Sequence, residues 1–251
     1  MTMLNNSTIT LLQDIRRLLR YHRSVGITNY PAKPELDGFL HPRPGFSNPK
    51  PQGKDKPVQP QGEPATVSLA DIREELQGCS RCNLRKSRTN IVFGQGCERP
   101  NLLVVAEWPG SDDDQLGEAL RGQAGELLTR MLAAIKLTRE EVFLTHTVKC
   151  LPPGNRAPEA DEVKACLAFL HRQIEVLKPR IICTMGPLAA RALLKTDDSF
   201  FQLRGRFHDF QTIQGETLPL LPTFHPAFLL KNTEMKKASW QDLQMLQKRL
   251  P

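Results

Sequence analysis

The chain has 251 residues, 39% of them hydrophobic, which is enough for one packed domain of fair size plus an appendage. Its formal charge of +7 and isoelectric point near 9.2 suit a partner made of phosphates. No run approaches the roughly 20 apolar residues that a spanning helix needs, and the polar start Met1-Thr2-Met3-Leu4-Asn5-Asn6 lacks the parts of a secretory signal, so a membrane protein is excluded and a cytoplasmic one expected.

Ile9, Leu11, Leu12, Ile15, Leu18 and Leu19 recur at helical spacing, with Arg16, Arg17, Arg20 and Arg23 on the other side. That pattern predicts an amphipathic helix over roughly residues 7–23, within an N-terminal segment 1–24. One short helix is marginal alone, so the favoured reading is a helix packed on the body or fraying, ahead of a tether to a partner or DNA. Nine of the 20 prolines then fall between Pro31 and Pro64, which predicts an extended, disordered linker over 25–66. Residues 1–66 hold nine Lys/Arg against five Asp/Glu, and residues 67–251 hold 25 against 22, so the tail carries +4 and the body +3. A basic groove in the body must therefore come from local arrangement.

From Val67 to residue 251 the pattern is that of one domain. Leu102–Ala106, Val142–Thr145, Ile181–Thr184 and Leu218–Pro222 are short apolar runs of the kind buried in a parallel sheet. Helical stretches lie near 123–136, 159–177, 187–195 and 235–249. Strands separated by helices predict an α/β fold of three layers, αβα, around a mainly parallel four-stranded sheet.

Each apolar run leads at once into unusual chemistry. The first is followed by Glu107-Trp108-Pro109-Gly110-Ser111-Asp112-Asp113-Asp114 and the second by His146-Thr147-Val148-Lys149-Cys150, then Asn155; the third meets Gly186-Pro187 and the fourth His225-Pro226. Ligands of such folds bind where loops leave the carboxyl ends of the strands, so these four loops are expected on one rim. An acidic run is ordinarily a solvated turn. At a strand end, behind a Pro-Gly turn, it offers carboxylates to orient a water or to stabilise positive charge on a sugar ring. His225 is placed to donate a hydrogen bond to a leaving base, and its proline can open a helix. Asn155, beside Arg156, offers donors and an acceptor to a base edge, a water or a phosphate. His146 either serves the same rim or is held in the core by a backbone carbonyl. Gly122, Gly125 and Gly186 allow close approach of backbone to phosphates.

Without export, six cysteines read as thiolate ligands plus spare buried thiols. Cys79 and Cys82 form a Cys-x2-Cys pair, and Cys150 and Cys166 suit a loop ligand followed by one on the next helix, which predicts one inorganic centre. Zinc and a [4Fe-4S] cluster both accept four thiolates, and spacing does not separate them. Cys183 belongs to the core and Cys97 to a loop. Arg81, Arg85, Lys86 and Arg88 crowd the first pair, where they offset its charge, line a DNA channel or are simply solvated.

Taken in order, these segments resemble the family 4 uracil-DNA glycosylases, the iron-sulfur branch of the uracil-DNA glycosylase superfamily, over roughly residues 68–250. The family's Gly-Glu-x-Pro-Gly with following acids matches Ala106-Glu107-Trp108-Pro109-Gly110-Ser111-Asp112-Asp113-Asp114, and its glycine-bearing helix start matches Arg121-Gly122-Gln123-Ala124-Gly125. Its Thr-Asn-x-Val-Lys-Cys-x-Pro-Pro-x-Asn-Arg corresponds to residues Thr145–Arg156, its Leu-Arg-Gly to Leu203-Arg204-Gly205 and its His-Pro-Ser to His225-Pro226-Ala227. The resemblance implies a [4Fe-4S] cluster on Cys79, Cys82, Cys150 and Cys166, with zinc as the alternative. It implies catalysis by Glu107, Asp113, Asn155 and His225, a base pocket of Ala106, Trp108, Leu120 and His146, and DNA contacts at Arg156, Gly186 and Arg204. The implied partner is DNA, single- or double-stranded, holding a damaged base, most simply uracil, which a monomeric enzyme flips out and cleaves from its sugar. Three departures matter. The family's base-reading asparagine is His146, its stacking phenylalanine is Leu120, and the glycine before Glu107 is Ala106 beside a bulky Trp108. These changes keep open two alternatives: another deaminated base as substrate, or a DNA-binding module without turnover.

Overall fold

The computed structural model describes residues 67–251, so the expected N-terminal helix and the linker to residue 66 lie outside the described residues. Ser68 and Asp71 cap each other: the Asp71 N–H donates to the Ser68 hydroxyl at 3.2 Å and the Ser68 N–H to the Asp71 carboxylate at 2.8 Å. The helix they start, α1 (Leu69–Gln77), buries Leu69, Ile72 and Leu76 along one stripe.

One sheet follows, of β1 (Gln95–Gly96), β2 (Leu102–Ala106), β3 (Phe143–His146), β4 (Ile181–Met185), β5 (His208–Gln211) and β6 (Thr217–Thr223), in the order β1-β3-β2-β4-β6-β5. The four inner strands β3, β2, β4 and β6 run parallel, as the apolar runs require. The sheet is wider than the four strands expected, because β1 and β5 pair antiparallel at its edges. Neither edge strand carries an apolar run: β1 is two residues long, and β5 buries only Phe210.

The helices are α2 (Ser111–Leu116), α3 (Gly122–Ala134), α4 (Ala160–Leu177), α5 (Pro187–Leu194), α6 (Phe200–Leu203), α7 (Pro226–Lys231) and α8 (Lys236–Arg249). Side chains alternate along β2, with Leu102, Val104 and Ala106 in one core and Leu103 and Val105 in the other. Leu128 and Leu132 of α3, Leu229 of α7 and Leu243 and Leu246 of α8 fill the first core. Leu69 and Ile72 of α1 with Phe169, Leu170 and Ile174 of α4 fill the second. Two apolar faces on one sheet make the expected three layers.

Candidate active site

Parallel register brings the strand-end loops together. Ala106 pairs with His146 and Met185 with Thr223, so Glu107, Thr147, Gly186 and Phe224 leave the sheet on one rim. A cleft of ≈ 880 Å³ opens there, lined by Glu107, Trp108, Asp113, Leu120, Asn155 and His225 among others. That volume is within the range of small-molecule sites.

Glu107 leans over the start of α5. Its Oε1 accepts the Leu188 N–H at 2.9 Å, and it lies so close to Gly186 that a β-carbon there would stand 2.4 Å from the carboxyl carbon. Gly186 also has φ +102°, so it makes room for Glu107 and supplies a conformation that side chains resist. Burial pushes the Glu107 carboxyl up to about 6, against the pull of the Leu188 amide.

Asp113 sits in the first turn of α2, 5% exposed. Its Oδ1 accepts the Arg121 N–H at 2.6 Å and its Oδ2 the Gly110 N–H at 3.1 Å. Burial raises its carboxyl, but the His146 ring and these two amides outweigh it and hold the group below the usual aspartate value. The environment thus drives the two carboxylates apart. The acidic run divides by role, since the neighbouring Asp114 accepts the Thr89 N–H at 2.9 Å and secures that loop.

His225 caps α7. Its Nδ1 accepts the Ala227 N–H at 3.1 Å, so the neutral ring carries its proton on Nε2. That Nε2 is closed off from solvent and has no protein partner. Burial pulls its titration down to about 4, with His146 adding to the shift and Asp113 opposing it. His225 is therefore a neutral donor at physiological pH.

His146 is fully buried and absent from the cleft lining. Its Nε2 stands 3.3 Å from Asp113 Oδ2, an ion-pair distance, although the angle is too poor for a hydrogen bond and both ring nitrogens otherwise lack partners. Ala106 is likewise buried, its carbonyl accepting the Thr147 N–H at 2.8 Å. Leu120 lines the cleft but is only 2% exposed, with a left-handed φ of 55°. Arg139, which sequence reasoning missed, holds that loop by donating to the carbonyls of Ala119 at 2.9 Å and Leu120 at 3.2 Å. Trp108 donates from Nε1 to Asn155 Oδ1 at 3.0 Å, which leaves the Asn155 amide nitrogen for other partners. Arg156 grips Glu162 at 2.8 and 2.9 Å. Arg204 grips Asp242 at 2.6 Å and the Ala238 carbonyl at 2.8 Å.

Cys79, Cys82, Cys150 and Cys166 line one small apolar cavity beside the rim, whereas Cys97 and Cys183 lie elsewhere, and none of the six is in a disulfide. Among the described residues no three His, Cys, Asp or Glu side chains are grouped so as to hold a metal ion. Two N–H donors address the sulfurs: Arg88 Nη1 at 3.4 Å from Cys150 and the Lys149 N–H at 3.2 Å from Cys166. Burial pushes the Cys166 thiol up to about 12 and raises Cys150 and Cys82. Thiolates in such a place call for a cationic centre, and the donor set fits a four-thiolate cluster. Lys149 is buried behind it, its Nζ donating to Thr145 Oγ1 at 2.5 Å, the His146 carbonyl at 2.7 Å and Gln173 Oε1 at 2.7 Å.

Residues 93–244 match the family model of the uracil DNA glycosylase superfamily. The chain is 36% identical over 183 residues to a type-4 uracil-DNA glycosylase of Archaeoglobus fulgidus, covering 71% of this chain and 92% of that one. Over 184 residues and 71% of this chain it is 37% identical to the type-4 uracil-DNA glycosylase of Sulfurisphaera tokodaii, covering 83% of that protein, and 39% identical to that of Saccharolobus solfataricus, covering 85%.

Proposed function

The chain belongs to the type-4 uracil-DNA glycosylases of the uracil-DNA glycosylase superfamily, and from that premise we propose that it is a DNA-repair enzyme hydrolysing the N-glycosidic bond of uracil in DNA. The observation that carries the reading is the meeting in one cleft of Glu107 and Asp113 from the end of β2, Asn155 from the loop after β3 and His225 from the end of β6.

A base stacked in a duplex hides its glycosidic bond, so the uridine must be extruded into the cleft. Bond breaking then leaves negative charge on the base oxygens and positive charge on the sugar. His225 meets the first: a neutral Nε2–H, aimed without a partner, donates to the developing oxyanion and needs no proton transfer. Asp113, kept ionised by its two amides and by His146, meets the second. Glu107 titrates at about 6 and so is ionised at neutral pH yet basic enough to take a proton from the attacking water. Asn155, its oxygen engaged by Trp108, presents its NH2 to the base or a phosphate, and Leu120 and Trp108 flank the base. Arg156, Gly186 and Arg204 shape the loops that meet the DNA backbone.

We assign the thiol cavity to a [4Fe-4S] cluster held by Cys79, Cys82, Cys150 and Cys166, which when bound staples the loop carrying Asn155 to α4. Metal analysis that found zinc without iron and sulfide would replace that assignment. The unpaired thiols support a reducing, cytoplasmic setting, and no helix among the described residues is long and apolar enough to cross a membrane.

The test is base release from oligonucleotides carrying one uracil, single-stranded and duplex, beside a panel of other deaminated bases. Free uracil and an alkali-labile site are expected. Intact uracil strands in the presence of a filled metal centre would refute uracil activity. Release of another base would then mark a shifted substrate, and tight binding without release a module without turnover.

A further inference from the structure

His146 occupies the position where the family's resemblance places a reader of the base edge, yet its ring is 0% exposed and does not line the cleft. Asp113 lines the cleft, and the His146 ring lies against it. The order from solvent inward is therefore cleft, Asp113, His146. We propose that His146 is a positioning residue which orients Asp113 and keeps it ionised, and that it does not read the base; the inference rests on the glycosylase reading of the cleft.

The hydrogen-bond inventory supports this. Asp113 Oδ1 takes the Arg121 N–H and Oδ2 takes the Gly110 N–H, and a carboxylate doubly served by amides is an acceptor only. The nitrogen facing it, Nε2 at 3.3 Å, is the nearer place for the ring's single proton, and Nδ1 is buried without a partner. A ring buried behind Asp113 offers no donor to a base in the cleft. Its backbone is also pinned, since the His146 carbonyl accepts the buried Lys149 ammonium at 2.7 Å. The other charged or titratable groups near the pair are Lys149 on the following turn, His225 at the head of α7 and Arg139 ahead of β3. Burial and then Lys149 lower the affinity of His146 for a proton while Asp113 opposes them, so the ring is neutral at physiological pH.

The experiment compares His146→Gln, His146→Asn and His146→Phe with wild type in the full chain. A Gln amide nitrogen reaches about as far as Nε2, whereas the shorter Asn amide does not. We expect Gln to keep most of kcat, and Asn and Phe to lose about 10- to 100-fold in kcat with KM and the order of preferred bases unchanged, the scale typical of a lost supporting partner. In Phe the acid limb of the rate profile should steepen as a second carboxylate begins to titrate there. A readout free of activity is a carboxyl NMR titration of Asp113, depressed in wild type and raised in Phe, with melting curves to confirm that each variant folds. An unshifted Asp113, or an Asn variant that changes which base is released while keeping kcat, overturns the proposal. Wild type that releases no base at all sinks the glycosylase reading instead, while the Asp113 titration still decides the role of His146.

Discussion

At the residue scale the cleft moves two groups of one chemical type to opposite sides of their ordinary titration range. Glu107 is raised to about 6 and Asp113 is held low, so the acid limb of kcat/KM should follow Glu107: activity falls as pH drops through about 6 and this base takes a proton. Glu107→Gln should lose about 10²- to 10⁴-fold in kcat and lose that limb with it. A limb surviving near the ordinary imidazole value in Glu107→Gln would belong to a histidine and would contradict His225 as a neutral donor. The sign for stability is the reverse. A carboxyl whose folded value lies above its unfolded 4.5 loses stabilisation as pH rises through about 6, so Glu107→Gln, which keeps an acceptor for the Leu188 amide, should melt at pH 8 no lower than wild type. His225→Phe should cost about 10²- to 10³-fold in kcat, as loss of one oxyanion donor does, measured at saturating uracil DNA.

At the element scale, what holds the chemistry in place is the fit of strand ends to helix starts. Gly186 joins β4 to α5 with φ +102° under the Glu107 carboxyl. Gly186→Ala should therefore lower stability by about 1–3 kcal/mol through backbone strain and, by displacing Glu107, lower activity at pH 8 further than the melting shift explains; equal losses would mean that Gly186 serves the fold alone. Such joints were only partly legible from sequence. The inner strands were legible because burial on both faces leaves a continuous apolar run, as in Leu102–Ala106. The edge strands were not, because Gln95-Gly96 and His208-Asp209-Phe210-Gln211 gain their structure from pairing with a neighbour already in place. Helix α1 was not expected from the sequence, although Ser68 and Asp71, three residues apart, cap its start. Within the cleft, the positions of Glu107, Asp113, Asn155 and His225 followed from strand ends, whereas the inward turn of His146 and the grip of Arg139 on a left-handed Leu120 depend on burial and left no periodic mark.

At the scale of the whole molecule, two features contribute differently. The thiol cavity joins the turn after α1, the loop after β3 and the flank of α4, all far apart in the chain. If the proposed cluster ties these loops, Cys166→Ser should lower iron content, melting temperature and base release together, because its thiolates would hold the three segments through one centre. The tail is proposed to act through charge. It supplies +4 of the net +7, so deleting residues 1–66 leaves a body of +3 that attracts a phosphate backbone less strongly. Affinity for undamaged DNA should fall in the deletion at low salt, and the two binding curves should converge as salt rises, since exposed charges separated by more than about 10 Å are screened near 0.1 M. Affinities that differ by the same factor at every salt concentration would show that the tail contributes contacts other than long-range attraction. A fixed kcat on a short single-stranded substrate, measured beside them, would place the effect in DNA capture and keep it out of the cleft.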